Sequence, residues 1–469
     1  DGALVDSEVH SYGARYFNET WVEQEPGDWW DAVCVSTQKL IRRSGINAAD
    51  IAVVSFSGQM LGCLCVDRDG NPLRNSIIWA DHRAQPQTDA LLQKMPMAEQ
   101  YQITGHRGAA SYGLQKLMWV RDNQPDIYQN THKALNAKDY ILYKLTGVFM
   151  TEPTDASSFG CMDLRTNRWS DKIVQASGVD ERKLPDIMPS THVAGYVTRE
   201  AAQATGLKAD TPVVLGGGDG VCANVGAGSV KPGKTYCSLG SSSWVATTSE
   251  QPVLDEHMRT MCWPHIVPGF YSPNGTMQTG GGAYNWLKTN VCKWETQEAA
   301  AHHISPYQLI NQEIEGSAPG ANGVLFLPYL LGERAPRWDP LARAAFLGVK
   351  MENTRGDLLR SVLEGITMNL ALILRILQQH TPIGEVLVIG GGAKGAVWSQ
   401  IIADIFGVPA QVPRVLEEAT SMGAAITGGV GVGLFKDFGI VDQMIQIVQT
   451  YPPRPETRPV YDRSMRLFD

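Results

Sequence analysis

An α/β protein of two large domains facing each other across a cleft is the fold this sequence predicts, on three observations. The chain has 469 residues, 43% of them hydrophobic, which is more than one ordinary core accommodates. A short apolar run from Val213 to Leu215 stops in Gly216, Gly217, Gly218 and Asp219, with a helix expected from Val221. The same design returns in the second half, where Glu385 to Ile389 ends in Gly390, Gly391, Gly392 and Ala393 before a helix through Trp398, Ile401 and Phe406. Apolar runs of this length, bounded by glycine or proline, suit buried strands, and ligands of open α/β sheets sit beyond the carboxyl ends of strands. Asp219 therefore stands where chemistry is expected, on glycines that let a ligand approach without meeting a Cβ.

Charge and cysteine usage exclude several classes. A formal net charge of −8, with no block of like charges, argues against nucleic-acid and anionic-membrane surfaces. The eight cysteines lie mostly in apolar surroundings and form no disulfide framework, which fits a reducing compartment. Cys63 and Cys65 have one residue between them, and neither they nor His302 and His303 complete the ligand spacing of a zinc site. No apolar run reads as a bilayer span, and the opening Asp1-Gly2-Ala3 shows neither a basic n-region nor an apolar h-region. The expectation is a cytoplasmic protein.

Along the first half, Pro26 and Asp28 open a helix that runs to about Arg43. Ile51 to Phe56 reads as a strand entering Ser57-Gly58-Gln59-Met60, and Cys63 to Asp67 as a second strand of the same sheet. Ile77 and Ile78 lead into Trp79-Ala80-Asp81-His82-Arg83. Gln59, Trp79, Asp81 and Arg83 thus fall on turns after adjacent strands, and a polyhydroxylated ligand needs such a set: amide and carboxylate groups for its hydroxyls and an indole for its C–H face. A helix is expected around Tyr112 to Val120, with Lys116 on its solvated face, and another from Lys138 to Leu145 before Gly147. Thr154 to Gly160 reads as a small polar loop.

Gly228 to Thr235 satisfies the letter of the G-x-x-x-x-G-K-[ST] phosphate loop, but its context does not. A β-rich run follows Lys234 where a helix is required, and Pro232 removes a backbone donor. The segment reads as the link between domains 1–230 and 231–469. The strand up to Leu239 ends in Gly240, Ser241, Ser242 and Ser243, a turn able to surround an anion, and Thr279 to Ala283 is another glycine turn. Leu325 to Leu331 reads as a strand leading to a charged loop, Gly332 to Arg337. Asp357 to Gln379 carries one apolar stripe at helical spacing and belongs in a core.

Taken together, the residues resemble the FGGY carbohydrate kinases, whose fold is α/β with two actin-like ATPase (ribonuclease H-like) domains facing each other across a cleft. The resemblance covers nearly the whole chain. It rests on Glu23-Gln24-Glu25-Pro26 with Trp29-Trp30, Ser57-Gly58-Gln59-Met60, Trp79-Ala80-Asp81-His82-Arg83, Gly217-Gly218-Asp219, Ser238-Leu239-Gly240-Ser241-Ser242, Gly332-Glu333-Arg334-Ala335-Pro336, and Gly390-Gly391-Gly392-Ala393 with Trp398.

This resemblance implies an ATP-dependent kinase that phosphorylates a hydroxyl of a ketopentose such as D-xylulose, with ATP and Mg2+ as cofactors. It makes Asp219 the catalytic base and the carboxylate toward the metal, Gly240, Ser241 and Ser242 part of the phosphate turn, and Gly391, Gly392 and Ala393 the adenosine contact. Gln59, Met60, Trp79 and Asp81 become sugar-pocket positions, and a homodimer is compatible with it. Leu61 stands where xylulokinases usually carry His, and Ser241 where the phosphate turn usually carries Thr. Gluconate kinases share Trp79-Ala80-Asp81 and Gly332 to Pro336, so gluconate or another sugar or polyol is the alternative acceptor. The family opens with a strand and an Asp-x-Gly-Thr turn, whereas this sequence opens at Asp1-Gly2 with Ala3 to Val9 as an expected strand. If that turn is absent from the native protein, a sugar-binding protein without catalysis is the further alternative.

Overall fold

The computed structural model describes residues 2–469 apart from Val415 and Glu417, so the opening Asp1 lies outside the described residues. In the first half, α1 (Pro26–Ser44) has proline in its first turn and ends at Gly45, whose φ of 68° only glycine adopts cheaply. Residues 3–9 form no strand. Asp6 and Glu8 instead pair with Arg43 and Lys39 of α1, because a strand needs a partner ladder and none of the described strands pairs with this stretch.

The expected strand from Ile51 to Phe56 shrinks to one parallel bridge, Val54 to Val213, followed by β1 (Ser57–Gly58). Leu64–Val66 does not join that sheet, pairing instead with Lys133–Leu135. Next come α2 (Gly113–Asn123) and α3 (Ala137–Thr146), the latter started by a reciprocal Asn136/Asp139 capping box and stopped by Gly147. The loop expected at Thr154 begins as a short helix, Pro153–Ser157, whose first amides are capped by Glu152. β2 (Pro212–Val214) is followed by β3 (Gly217–Gly218), which pairs in parallel with β1, and then α4 (Asp219–Gly226).

The second half is built on one seven-stranded sheet: β4 (Thr235–Leu239), β5 (Ser243–Thr247), β6 (Met261–Pro264), β7 (Tyr271–Met277), β8 (Val386–Ile389), β9 (Ala410–Pro413) and β10 (Ile447–Tyr451). Its spatial order is β6-β7-β5-β4-β8-β9-β10, parallel only at β4/β8 and β8/β9. Three helices matter to it: α5 (Gly281–Asn290), α6 (Arg355–Gln378) and α7 (Ala396–Phe406). By length and composition α6 could cross a membrane, contrary to expectation, yet 89% of its apolar window is buried within the protein. It is the central core helix. Trp398 of α7 packs in the same cluster and donates its indole N–H to Thr367 Oγ1 of α6 at 3.1 Å. The strand expected at Leu325 covers only Leu325–Leu327, paired with Ala345–Leu347.

One last helix, α8 (Ala419–Gly431), crosses back to the first half and packs along α4. The seam has no room for side chains. A Cβ on Gly226 would lie 1.8 Å from the Ala419 carbonyl, and one on Gly423 would lie 2.0 Å from that of Cys222. The sequence that mimics a phosphate loop joins α4 to β4. Lys231 and Lys234 sit at the surface, paired with Asp442 and Glu385, and a strand follows where a phosphate loop would need a helix.

Candidate active site

Period-two alternation gives the second half's sheet a face that looks at the first half. Tyr236 of β4, Trp244 and Ala246 of β5, Met261 and Trp263 of β6, and Asn274 and Thr276 of β7 all line a cavity of about 690 Å³. Opposite them lie Gln59, Met60 and Leu61, then Trp79 and His82, then Arg107, Ala109, Ser111 and Tyr112, with Asp219 at the start of α4. Leu331, Glu333, Arg334 and Trp338 complete the wall.

Asp219 opens into this cavity. Gly216 makes the preceding turn at φ 67°, where a Cβ would meet the Phe56 carbonyl at 2.2 Å; a Cβ on Gly218 would meet Met60 Sδ at 2.5 Å. Asp219 Oδ1 accepts the Gly220 N–H at 2.7 Å. The enclosing walls raise its carboxyl above the usual carboxylate range, and that N–H partly offsets the rise. Behind it, Tyr236 Oη donates to the Gly220 carbonyl at 3.0 Å and accepts from Trp244 Nε1 at 2.8 Å, which fixes the turn. Gln59 is oriented by its bond to Gln24 Oε1 at 2.8 Å, the same oxygen that accepts the Trp29 indole.

Trp79 is 45% exposed and lines the cavity, but Asp81 does not. The Asp81 carboxylate is wholly buried, accepts from the Val22 N–H and is paired with Arg83 at 2.7 Å. Arg83 in turn lies over the Trp21 ring at 4.0 Å and also reaches Glu23. With every lone pair so engaged, Asp81 shapes the Trp79 turn from behind and is no sugar contact. Lys116 departs further from expectation. It is fully buried, and its ammonium donates to the carbonyls of Leu61, Ser111 and Ile78. Burial brings it down to about 7.

Arg107, Arg334 and the Asn274, Thr276, Gln278 row were not singled out individually from sequence. The row alternates along β7 and its end, which was the available signal. Burial pushes Glu333 up to about 7, against the pull of the Gln278 and Arg334 N–H groups on its carboxylate. The Arg334 guanidinium has no hydrogen bond or ion pair among the described residues and faces the cavity. Arg107 lies across the Trp338 ring at 5.3 Å.

Gly240, Ser241 and Ser242 follow β4, and Gly391, Gly392 and Ala393 follow β8. Because β4 and β8 are parallel neighbours, both turns emerge at one end of the sheet. A Cβ on Gly392 would meet Leu239 at 2.7 Å and Trp398 at 2.8 Å. The third glycine turn joins them: Gly280, Gly281 and Gly282 donate to the carbonyls of Ser241, Gly240 and Ser241. Ser242 also reaches the cavity, linking this glycine-lined corner to Asp219. Among the described residues no three His, Cys, Asp or Glu side chains are grouped to hold a metal ion.

Two family models divide the chain between them: the N-terminal domain of the FGGY family of carbohydrate kinases matches residues 1–226, and its C-terminal domain matches residues 235–432. The chain belongs to the FGGY carbohydrate kinases. It is therefore an ATP-dependent sugar kinase with the actin-like ATPase fold that the sequence implied. Among FGGY relatives, a gluconokinase of Bacillus licheniformis is 29% identical over 100% of this chain and 91% of its own. A xylulose kinase of Bacillus subtilis (strain 168) is 31% identical over 95% of this chain and 87% of its own. The crystal structure of gluconate kinase from Lactobacillus acidophilus superposes with a TM-score of 0.90 at 26% identity, covering 98% of this chain and 91% of that one. Two different acceptor sugars are thus named at nearly equal identity.

Proposed function

We propose that the chain transfers the γ-phosphoryl group of ATP to a hydroxyl of an open-chain sugar held between Trp79, Gln59, Met60 and Asp219. The observation that carries this reading is the Asp219 carboxylate, set on a glycine turn and open to a cavity walled by both halves of the molecule. Asp219 accepts the proton of the attacking hydroxyl, and its raised proton affinity suits a base. Gly240, Ser241 and Ser242 offer amides and hydroxyls to the phosphates, while Gly391, Gly392 and Ala393 take the adenosine. Residues 1–230 carry most of the sugar side and 231–469 the nucleotide side, although Arg334 and the β7 row bring the second half into the acceptor pocket. When bound, Mg2+ would neutralise phosphate charge. The donor set fits an ion that arrives with the nucleotide, since Mg2+ is commonly held by one or two carboxylates plus substrate phosphates, and Asp219 supplies a carboxylate.

For the acceptor, the Gln59-Met60 pair supports a ketopentose such as D-xylulose. A second reading, a sugar acid such as gluconate, is favoured by one specific observation: the Arg334 guanidinium, unpaired among the described residues, matches a carboxylate bidentately. A coupled ADP-release assay across D-xylulose, D-ribulose, D-gluconate and glycerol tests the proposal. Turnover of D-xylulose is the expected result, turnover of D-gluconate alone selects the second reading, and ADP release with none of the four overturns both.

A further inference from the structure

Lys116 looks from sequence like one more surface lysine on a helix, yet its whole side chain is buried. The ammonium has three N–H donors and spends each on a different backbone carbonyl: Leu61 at 2.6 Å, Ser111 at 2.6 Å and Ile78 at 2.8 Å. Leu61 and Ser111 line the acceptor cavity, and Ile78 immediately precedes Trp79, which lines it too. No carboxylate stands within ion-pair distance of Lys116 among the described residues. The nearby Asp81 is already committed to Arg83. An unpaired buried charge is costly, and a methionine would fill the same space without that cost, so packing alone does not account for a lysine here.

Leu61 adds a second, independent observation. Its φ of 65° lies in the left-handed region that a branched side chain rarely adopts. Such strain persists only where the surroundings over-determine it. Here the Leu61 N–H is held by Ser158 Oγ at 3.1 Å and its carbonyl by Lys116.

We infer that Lys116 is a positioning residue of the acceptor pocket, its ammonium tying the Leu61, Trp79 and Ser111 segments into the one arrangement that receives the sugar. The inference rests on the kinase reading for what enters the pocket, but the tether stands apart from it. A charged ammonium satisfies all three carbonyls, whereas a neutral amine has two N–H donors and turns a lone pair toward the third. The groups facing Lys116 are Asp81 and Cys63, which favour its charge, and Arg83, which opposes it. His82 is held below its ordinary value by enclosure, Lys116 and Arg334, and the hydrogen bond with Cys65 together with burial keeps the Cys63 thiol well above its own. Both shifts lead away from about 7, where burial has brought Lys116. The tether is therefore complete below neutral pH and loosens as pH rises through it.

Hydrogen exchange on residues 59–62, 76–80 and 109–113 of the full chain reads this directly, in the wild type, Lys116→Met and Lys116→Arg, from about pH 6 to about pH 8.5 after correction for intrinsic rates. In the wild type the three segments should lose protection together around neutral pH. At about pH 6 the Met variant should already exchange about tenfold or more faster in all three, the scale of one lost charge-assisted hydrogen bond, with Arg restoring part of the protection. Using D-xylulose and D-gluconate as probes, the Met variant should raise the sugar KM about tenfold while the ATP KM moves less than about twofold. Unchanged protection in the Met variant at about pH 6, a response confined to one segment, or no pH transition in the wild type would each overturn the inference. Should the Met variant not fold, the wild-type transition alone decides. If neither sugar is turned over while the three segments still move together, the choice of acceptor fails and the tether stands.

Discussion

Replacing Asp219 with Asn separates shape from chemistry at the proposed base. The Asn side chain matches Asp in size, and its carbonyl oxygen can accept the Gly220 N–H that Asp219 Oδ1 accepts at 2.7 Å, so the turn and the sugar pocket should persist. What disappears is the proton acceptor. General-base assistance is worth about 10²–10⁴-fold, which at about 1.36 kcal/mol per decade is roughly 2.7–5.5 kcal/mol of barrier. In the wild type, log kcat/KM should rise with pH through a value above the ordinary 3.8 of Asp, because enclosure raises this carboxyl; that limb should vanish in the variant. The same shift sets the sign for stability. A raised acid contributes stability below its unfolded value and loses it as pH rises through its folded value, but the Asp219 side chain is open to solvent in the cavity, so screening keeps that contribution small. The Asn variant should therefore melt at about the wild-type temperature while turning over orders of magnitude more slowly. Coupled ADP release measures the rate. Sugar-dependent quenching of the cavity tryptophans Trp79, Trp244, Trp263 and Trp338 measures binding. Turnover within about threefold of wild type would refute the assignment of Asp219 as base.

Three further outcomes are expected. Gly423→Ala puts a Cβ 2.0 Å from the Cys222 carbonyl, where 3.4 Å is ordinary contact; α4 and α8 must part, costing about 1–3 kcal/mol in urea unfolding and slowing turnover as Asp219 moves with α4. Lys234→Ala removes only a half-exposed pair with Glu385 and should change stability by less than about 1 kcal/mol and leave ADP release intact; abolished turnover would reinstate the phosphate-loop reading. Glu333, raised to about 7 by burial, contributes stability that is complete below its ordinary 4.5 and lost as pH rises through about 7. Urea midpoints measured at about pH 5 and about pH 8 should differ less in Glu333→Gln than in the wild type.

How legible the molecule was depends on where each element finds its partner. The strand at Thr235–Leu239 and the helix at Arg355–Gln378 were readable because a buried run or a helical stripe is local information. Ile51 to Phe56 has the same apolar look, yet it touches Val213 at one position only, since strand pairing is decided by residues far away in sequence. At the site, Gln59, Met60, Trp79, Asp219 and Ser242 line one cavity. Asp81 misled because a carboxylate beside a tryptophan suits a sugar equally well as it suits Arg83 two residues on. Lys116 left no trace in sequence, because its three acceptors are backbone carbonyls, which every residue possesses. The Arg334 loop was visible as charged, but that its guanidinium lacks a partner among the described residues is a property of three dimensions alone.

The seam between α4 and α8 bears on how this enzyme can be recombined with its relatives. Glycine and alanine have no rotamers, so a backbone-to-backbone fit such as Gly226 on Ala419 or Gly423 on Cys222 has no adjustable part with which to absorb a mismatch. A chimera that joined the first 230 residues of one kinase to the remainder of another would bring together two helices that had never been fitted to each other, directly beneath the turn that aims Asp219. Exchanging residues 419–431 along with the first half, as a discontinuous cassette, keeps that fit within one parent, and a library built on that boundary should retain active members where a single crossover at 230 loses them.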